Sequence, residues 1–386
     1  MPTWPLRPTA QDLDRIGQDV AAIADLQQEL LDRDPALKRR DRVAHQYQIA
    51  GGKIVLTIAP RLPTNLDGVG LFEPAATHIG IGRVSTGLGC PHAETDPDFL
   101  GLRLAFQTKA GARVDFIAIN DPAAPTDTHA QFMKLLAATA AGAGTGVLAS
   151  GAQLHTGLIS SLGLAQGGRI FAHVLGQTSR AALSSTAYQT YWTGIEETGG
   201  IAGKFVIEPV SQENQHRALS AGEYHLTQEW RARQARGPVV FDIYWIPFID
   251  AQQTSLDELT NPWQEQRHPV GTVTFPQCDP TSEDAGIWAA LAAEMGANPG
   301  NWVHDQGDTV REPSTEFGIA RRIAYRNSQE GRDVLPEASY AQVFRTGTID
   351  GVLAAELKRR RAGKQDIGHI DAAPSALQST GGSTKR

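Results

Sequence analysis

The sequence predicts an α+β chain whose sheet closes into a barrel. Many short strand-like runs are strung through the first two thirds without a repeat at solenoid period, the last third is helical, and one amphipathic helix leads the chain. From 10 to 31, Leu13, Ile16, Val20, Ile23, Leu26 and Leu30 recur at three- and four-residue spacing, the signature of a helix with one apolar face, and Thr9 is its N-cap. Asp34-Pro35 ends it, because the residue before a proline avoids the helical region. Strands follow at 53–58, which is β-branched and apolar, and at 102–107, where Leu102, Leu104 and Phe106 alternate with Arg103, Ala105 and Gln107. Another is expected at 114–119, after the turn Gly111-Ala112-Arg113, and then a helix over 126–136. The stretch 135–200 is rich in Ala, Gly and Ser and carries no readable period. Strands resume at 204–207, 239–245 and 270–275, and helices close the chain at 284–295, 316–329 and 349–361. From Gly363 the composition is that of a disordered tail, so 1–362 reads as a single domain and 363–386 as its tail.

Composition removes several functional classes. At 386 residues the chain is long enough to bury a cofactor, and with 41% hydrophobic and 20% charged residues it is globular. A net charge of −7, with one short basic block at Lys358-Arg359-Arg360-Arg361 on a helix, argues against a nucleic-acid partner. Two cysteines, Cys90 and Cys278, without neighbours at ligand spacing, argue against disulfide scaffolds and thiolate metal sites. The glycine-rich stretches Gly80-Ile81-Gly82 and 142–146 lack the dinucleotide-binding spacing, and no Gly-x-Ser-x-Gly is present. The chain has no apolar window of about 18 residues and no leader-like start, so it reads as cytoplasmic, without an integral membrane segment.

The most informative stretch is 321–332. On a helix of about 100° per residue, Arg321, Tyr325, Ser328 and Arg332 fall within about 60° of one another. A guanidinium one turn from a tyrosine favours phenolate over phenol, and a phenolate is a hard ligand suited to ferric iron. The same spacing fits a solvated basic face with a half-buried tyrosine, and spacing alone leaves both readings open.

Resemblance separates them. Arg321-x-x-Ala324-Tyr325 with Arg332 seven residues on resembles the proximal haem signature of the catalase-like haem peroxidases. Arg42-Val43-Ala44-His45 is similar to that family's R-V-x-H, and Gly82-Arg83-Val84-Ser85-Thr86 to its V-R-F-S-T. Asp98 to Leu104 is similar to D-x-R-G-F-A-V, and Val114 to Asn120 falls where the family carries D-L-V-G-N-N. Ala187 to Trp192, Gly203-Lys204-Phe205 and Pro262-Trp263-Gln264-Glu265 look like the smaller catalase-related enzymes. These motifs occur in the family's order from about residue 38 to 335.

The resemblance implies an antiparallel β-barrel core with haem b, in its ferric state, buried between the barrel and the tyrosine helix. Tyr325 would be the axial metal ligand and Arg321 its supporting cation. Arg42, Arg83 and Arg332 would hold the propionates, and Phe132 would stack on the macrocycle. His45 would be the distal base, oriented by Ser85, and Asn120 the donor to bound peroxide. The implied activity is cleavage of hydrogen peroxide or an organic hydroperoxide through a ferryl intermediate, using an unknown reductant or second substrate. Homo-oligomers are compatible with it. Two alternatives share the scaffold: rearrangement of hydroperoxides or oxidation in specialised metabolism, and a non-enzymatic haem-binding protein. This chain also departs from the pattern. Gln329-Glu330-Gly331-Arg332 keeps one arginine of the family's H-R-H-R, Asn120 lies one residue late, and Asp121-Pro122-Ala123-Ala124-Pro125 replaces an aromatic stretch.

Overall fold

The computed structural model describes residues 9–33, 39–87, 94–96, 98–142, 147–181, 185–198, 201–210, 224–264, 266–301 and 315–362. The expected tail, 363–386, and Cys90 lie outside them. The leading helix is α1 (Ala10–Arg33), opened by Thr9, whose Oγ1 accepts from the backbone N–H of Asp12 at 3.2 Å. Four strands follow: β1 (Gln48–Ile58), β2 (Thr77–Thr86), β3 (Leu100–Gln107) and β4 (Arg113–Ile119). Then come α2 (His129–Ala141), α3 (Val147–Leu162) and α4 (Leu164–Ala181), and strands β5 (Tyr191–Thr193), β6 (Glu196–Thr198) and β7 (Ile201–Pro209). Helix α5 (His225–Arg236) precedes β8 (Val239–Pro247) and β9 (His268–Phe275). The chain ends in α6 (Glu283–Glu294), α7 (Glu316–Glu330), α8 (Ala341–Thr346) and α9 (Gly351–Ala362).

The sheet order is β5-β4-β3-β2-β1-β9-β8-β7-β6, and β5 also pairs with β7. That last pairing closes eight antiparallel strands into a barrel and leaves β6 hanging on β7. Closure removes the sheet edges that an open sheet would expose. Alternate side chains fill the interior: Leu102, Leu104 and Phe106 of β3, Phe116 of β4, Phe205 of β7 and Phe241 of β8 belong to one buried cluster. Phe205 stacks on Phe72 at 5.5 Å and meets Phe116 edge-on at 5.0 Å. The packing of these rings is tight enough that Gly82 is required: a Cβ there would lie 2.5 Å from the Phe275 ring.

The sequence-derived elements hold where apolar periodicity was clear and are incomplete elsewhere. The helix expected over 126–136 begins at His129, because Thr128 stays extended and its Oγ1 accepts from the Gln131 N–H at 3.3 Å. The unreadable stretch holds the end of α2 and the whole of α3 and α4, whose Ala and Gly positions blur the apolar stripe. β2, α5 and α8 are further elements that periodicity did not reveal. The alternation along β3 predicts a half-buried strand, yet it is buried on both faces. Leu100, Leu102, Leu104 and Phe106 fill the barrel, while Ala105 packs in a second cluster with Trp288 and Leu291 of α6 and Phe344 of α8. A third cluster joins Ile16, Val20 and Ile23 of α1 to Met133 and Leu136 of α2 and Ile319 of α7. Helix α7 is thereby held beside the outer face of the barrel.

Candidate functional site

A cavity of about 610 Å³ lies against the outer face of β2, β3, β4, β5 and β7, walled by α1, α2, α4 and α7. His45 reaches it from the loop before β1. Its backbone is in the left-handed region, φ 56°, an uncommon conformation for a residue with a side chain. Two hydrogen bonds hold it there. The His45 N–H donates to the Gly87 carbonyl at 2.8 Å, and its own carbonyl accepts from Arg83 Nη2 at 2.8 Å. Arg83 also donates to the Gln46 carbonyl at 3.0 Å, so one buried guanidinium grips two successive peptides.

The His45 ring is fixed as well. Nδ1 lies 3.0 Å from the Thr86 carbonyl and 3.2 Å from Ser85 Oγ. A carbonyl can only accept, so Nδ1 carries the proton and Nε2 keeps its lone pair. The ring lies over Gly101, where a Cβ would stand 2.5 Å from Nδ1. Burial pushes the imidazole pKa down to about 4, with Arg83 and Arg42 adding to it against Asp98 and the Thr86 carbonyl. His45 is therefore a neutral base across the physiological range.

Stability depends on this pKa in the protein without a bound ligand. The folded pKa of about 4 lies below the unfolded value of 6.5, so on acidification the unfolded chain takes up this proton first. The contribution of His45 is complete above pH 6.5 and is lost as pH falls towards 4, by about 1.4 kcal/mol for each pH unit. Urea unfolding between pH 7 and 4.5 is expected to show a shallower loss of stability for His45→Gln than for the unmodified protein. Parallel slopes would remove His45 as the titrating group.

Helix α7 supplies the opposite wall. Arg321, Ala324, Tyr325, Ser328 and Arg332 all line the cavity, so the face predicted by the helical angle is the face presented. Thr315 caps the helix by accepting from the Gly318 N–H at 3.1 Å, and Gln27 of α1 donates to Ser328 Oγ at 3.0 Å. The Arg321 guanidinium occupies the space a side chain at Gly194 would take, 2.2 Å from an added Cβ. Among the described residues neither the Tyr325 hydroxyl nor the Arg321 guanidinium has a hydrogen-bond partner. Phe132 of α2 also lines the cavity and meets Phe317 edge-on at 6.2 Å.

One end of the cavity is strongly cationic. Arg42, Arg83, Arg103 and Arg332 line it together. Arg83 and Arg103 sit directly opposite each other across β2 and β3, a like-charge pairing that destabilises a sheet. Arg103 donates to the carbonyls of Met295 at 3.1 Å and Ala292 at 2.9 Å, and Arg42 to that of Ala293 at 2.8 Å. Asp41 is the acid beside Arg42 and Arg332, at 3.3 and 3.8 Å. Burial and the neighbouring guanidiniums hold Arg83 well below the ordinary arginine range and bring Arg332 to about 9. Buried cations crowded in this way are relieved by a bound dianion, and the two carboxylates of a haem fit that requirement.

The predicted residues divide accordingly. His45, Ser85, Arg42, Arg83, Phe132, Arg321, Tyr325 and Arg332 line a single cavity. Asn120 does not. It follows β4 with its Oδ1 accepting from the Leu100 N–H at 2.8 Å and its Nδ2 3.4 Å from Gln189 Oε1, while the next residue, Asp121, lines the cavity instead. The extra residue after Asp115 turns the asparagine away, since neighbours on an extended chain face opposite sides. Sequence reasoning missed Arg103, Gly101 and the Thr86 carbonyl. Arg103 reads there as one polar position of an alternating strand, and only strand register sets it opposite Arg83.

No family model and no curated protein matches the sequence. Solved structures do. The chain superposes on a bacterial catalase with TM-score 0.58 at 16% identity, covering 82% of this chain and 62% of that one. For a fungal catalase the values are 0.56, 14%, 78% and 61%, and for catalase A from Saccharomyces cerevisiae 0.54, 14%, 82% and 65%. The fold is thus the α+β catalase-like fold, an antiparallel barrel with helices around it. The chain spans little more than three fifths of the length of those catalases. Among the described residues no helix is long and apolar enough to cross a membrane.

Proposed function

We propose that the protein binds haem b and cleaves the O–O bond of hydrogen peroxide or an organic hydroperoxide. The observation that carries this reading is the convergence, on one cavity, of a tyrosine hydroxyl with no hydrogen-bond partner among the described residues, an oriented neutral histidine and four crowded arginines. Tyr325 would ligate the iron, with Arg321 beside it. Arg42, Arg83, Arg103 and Arg332 would take the propionates, and Phe132 would pack against the macrocycle. When bound, haem supplies a ferric iron and the two electrons that O–O heterolysis requires. His45 Nε2 takes the proton from one peroxide oxygen and returns it to the other, which leaves as water or alcohol. The Thr86 carbonyl keeps Nδ1 protonated throughout and so prevents the ring from presenting the wrong nitrogen. Asn120 takes no part in this step, and it is His45 that speaks against a simple haem carrier.

The long wall of the cavity along β4, β5 and β7 favours an organic hydroperoxide, including the rearranging chemistry of some catalase-like enzymes. Absorption spectra of the purified protein before and after hydrogen peroxide, then a fatty-acid hydroperoxide, test both readings. High-spin ferric haem with tyrosinate charge-transfer bands is expected, with a rapid change on one oxidant. Protein that takes up no haem would overturn the proposal.

Gly101 provides a finer test. A methyl group there overlaps the imidazole, so Gly101→Ala is expected to displace His45 from the Thr86 carbonyl. Displacement by about 1 Å costs about 10²-fold in a positioned step. Stopped-flow absorbance should show that loss with haem content preserved; an unchanged rate would mean that the ring position does not matter.

A further inference from the structure

Lys204 lies on the outer face of β7, 4% exposed, and lines the same cavity. Its ammonium stands 4.9 Å over the ring of Trp263. Among the described residues it has no hydrogen bond, and no carboxylate comes within 4.0 Å. Asp121 is the acid nearest in effect; its Oδ2 accepts from His173 Nε2 at 2.7 Å and its Oδ1 from the Ala123 N–H at 3.0 Å, and neither oxygen comes within ion-pair distance of the ammonium. Burial lowers the lysine pKa to about 8, with Asp121 opposing, which leaves it charged at neutral pH. A buried ammonium with a cation–π contact, and with Asp121 acting on it only from beyond ion-pair distance, is stabilised further by an anion that reaches it directly.

The ladder gives the scale. Gly101, beneath the His45 ring, pairs with Ile119; Ile119 pairs with Trp192, and Trp192 with Val206 of β7. Three strand spacings separate the His45 site from the strand of Lys204, roughly 14 Å. Ile119, Trp192, Ala123, Ala124 and Leu259 make that side of the cavity largely apolar, with Asp121 the acid among them. The four arginines crowd the β2 and β3 end, so they do not compete for the same anion.

We infer that Lys204 is a head-group site for a long-chain monocarboxylic acid, whose carboxylate it binds while the apolar chain runs towards His45. A single ammonium matches a single negative charge, and the apolar wall selects an alkyl body. This rests on the reading of the His45 face as the place where peroxide reacts, and it makes an acid-bearing hydroperoxide the substrate.

Isothermal titration of the purified holoprotein with saturated fatty acids of 8, 12 and 16 carbons (about 10 to 20 Å extended, spanning the ladder distance), and with the matching primary alcohols, tests it. The longer acids are expected to bind about tenfold tighter than their alcohols, the scale of one charge-assisted contact. Lys204→Met keeps the stem and should bring acid and alcohol level, whereas Lys204→Arg should retain the preference; thermal melts check that both variants fold. Equal binding of acid and alcohol by the unmodified protein, no binding of either, or an acid preference surviving in folded Lys204→Met would overturn the inference. If Lys204→Met does not fold, the comparison in the unmodified protein decides. The reaction with hydrogen peroxide, run on the same preparations, needs no head-group site. Where it persists without an acid preference, the head-group site falls and the peroxide reading stands.

Discussion

Tyr325→Phe is expected, on the proposed haem-binding reading, to abolish nearly all haem uptake. Phenylalanine fills the same space on α7 and keeps the helix packed, but it offers the iron no atom. Losing a partner outside the ligand shell costs metal sites about 10–100-fold in affinity, so losing the ligand itself should cost about 100-fold or more. Haem titration of the apoprotein gives the affinity, and the tyrosinate charge-transfer bands give the ligation. The hydroxyl has no other described partner, so the folded apoprotein should melt close to the unmodified one. A variant that retains full haem and an unchanged spectrum would show that Tyr325 is not the ligand.

His45→Ala separates binding from chemistry. The arginines and α7 are untouched, so haem content and ligation should stay nearly as they were. The step that moves a proton between the peroxide oxygens should slow by about 10²-fold or more, the usual scale for a positioned acid–base group. Stopped-flow measurement of the first spectral change reads this step apart from any later reductant. Asn120→Ala is the control: its side chain binds the Leu100 N–H outside the cavity, so the peroxide step should change by no more than a few-fold. If His45→Ala reacts as fast as the unmodified protein while Asn120→Ala is crippled, then Asn120 and not His45 serves the peroxide.

The amino-acid sequence determined more of this protein than its weak likeness to solved structures would suggest. The leading helix was legible because its apolar face repeats at helical spacing, and the α7 face because Arg321, Tyr325, Ser328 and Arg332 obey the same angle. Both are local properties, decided within a few turns of one element. The motif order likewise pointed to the barrel and to the two walls of the cavity. What the tertiary structure alone decided depends on register and on distant contacts. Arg103 joins the cationic end only because β2 and β3 pair with Arg83 opposite it. The tautomer of His45 follows from the Thr86 carbonyl, a backbone atom with no signature in the side-chain sequence. Asn120 kept the right identity in nearly the right place, yet one added residue on an extended strand turned it from the cavity and put Asp121 there. Lys204 passes for an ordinary polar strand residue until the barrel closes through β5 and β7 and buries its charge against Trp263 with no carboxylate in ion-pair contact among the described residues. Periodicity is written along the chain; which buried charge meets which partner is settled only when separate strands come together.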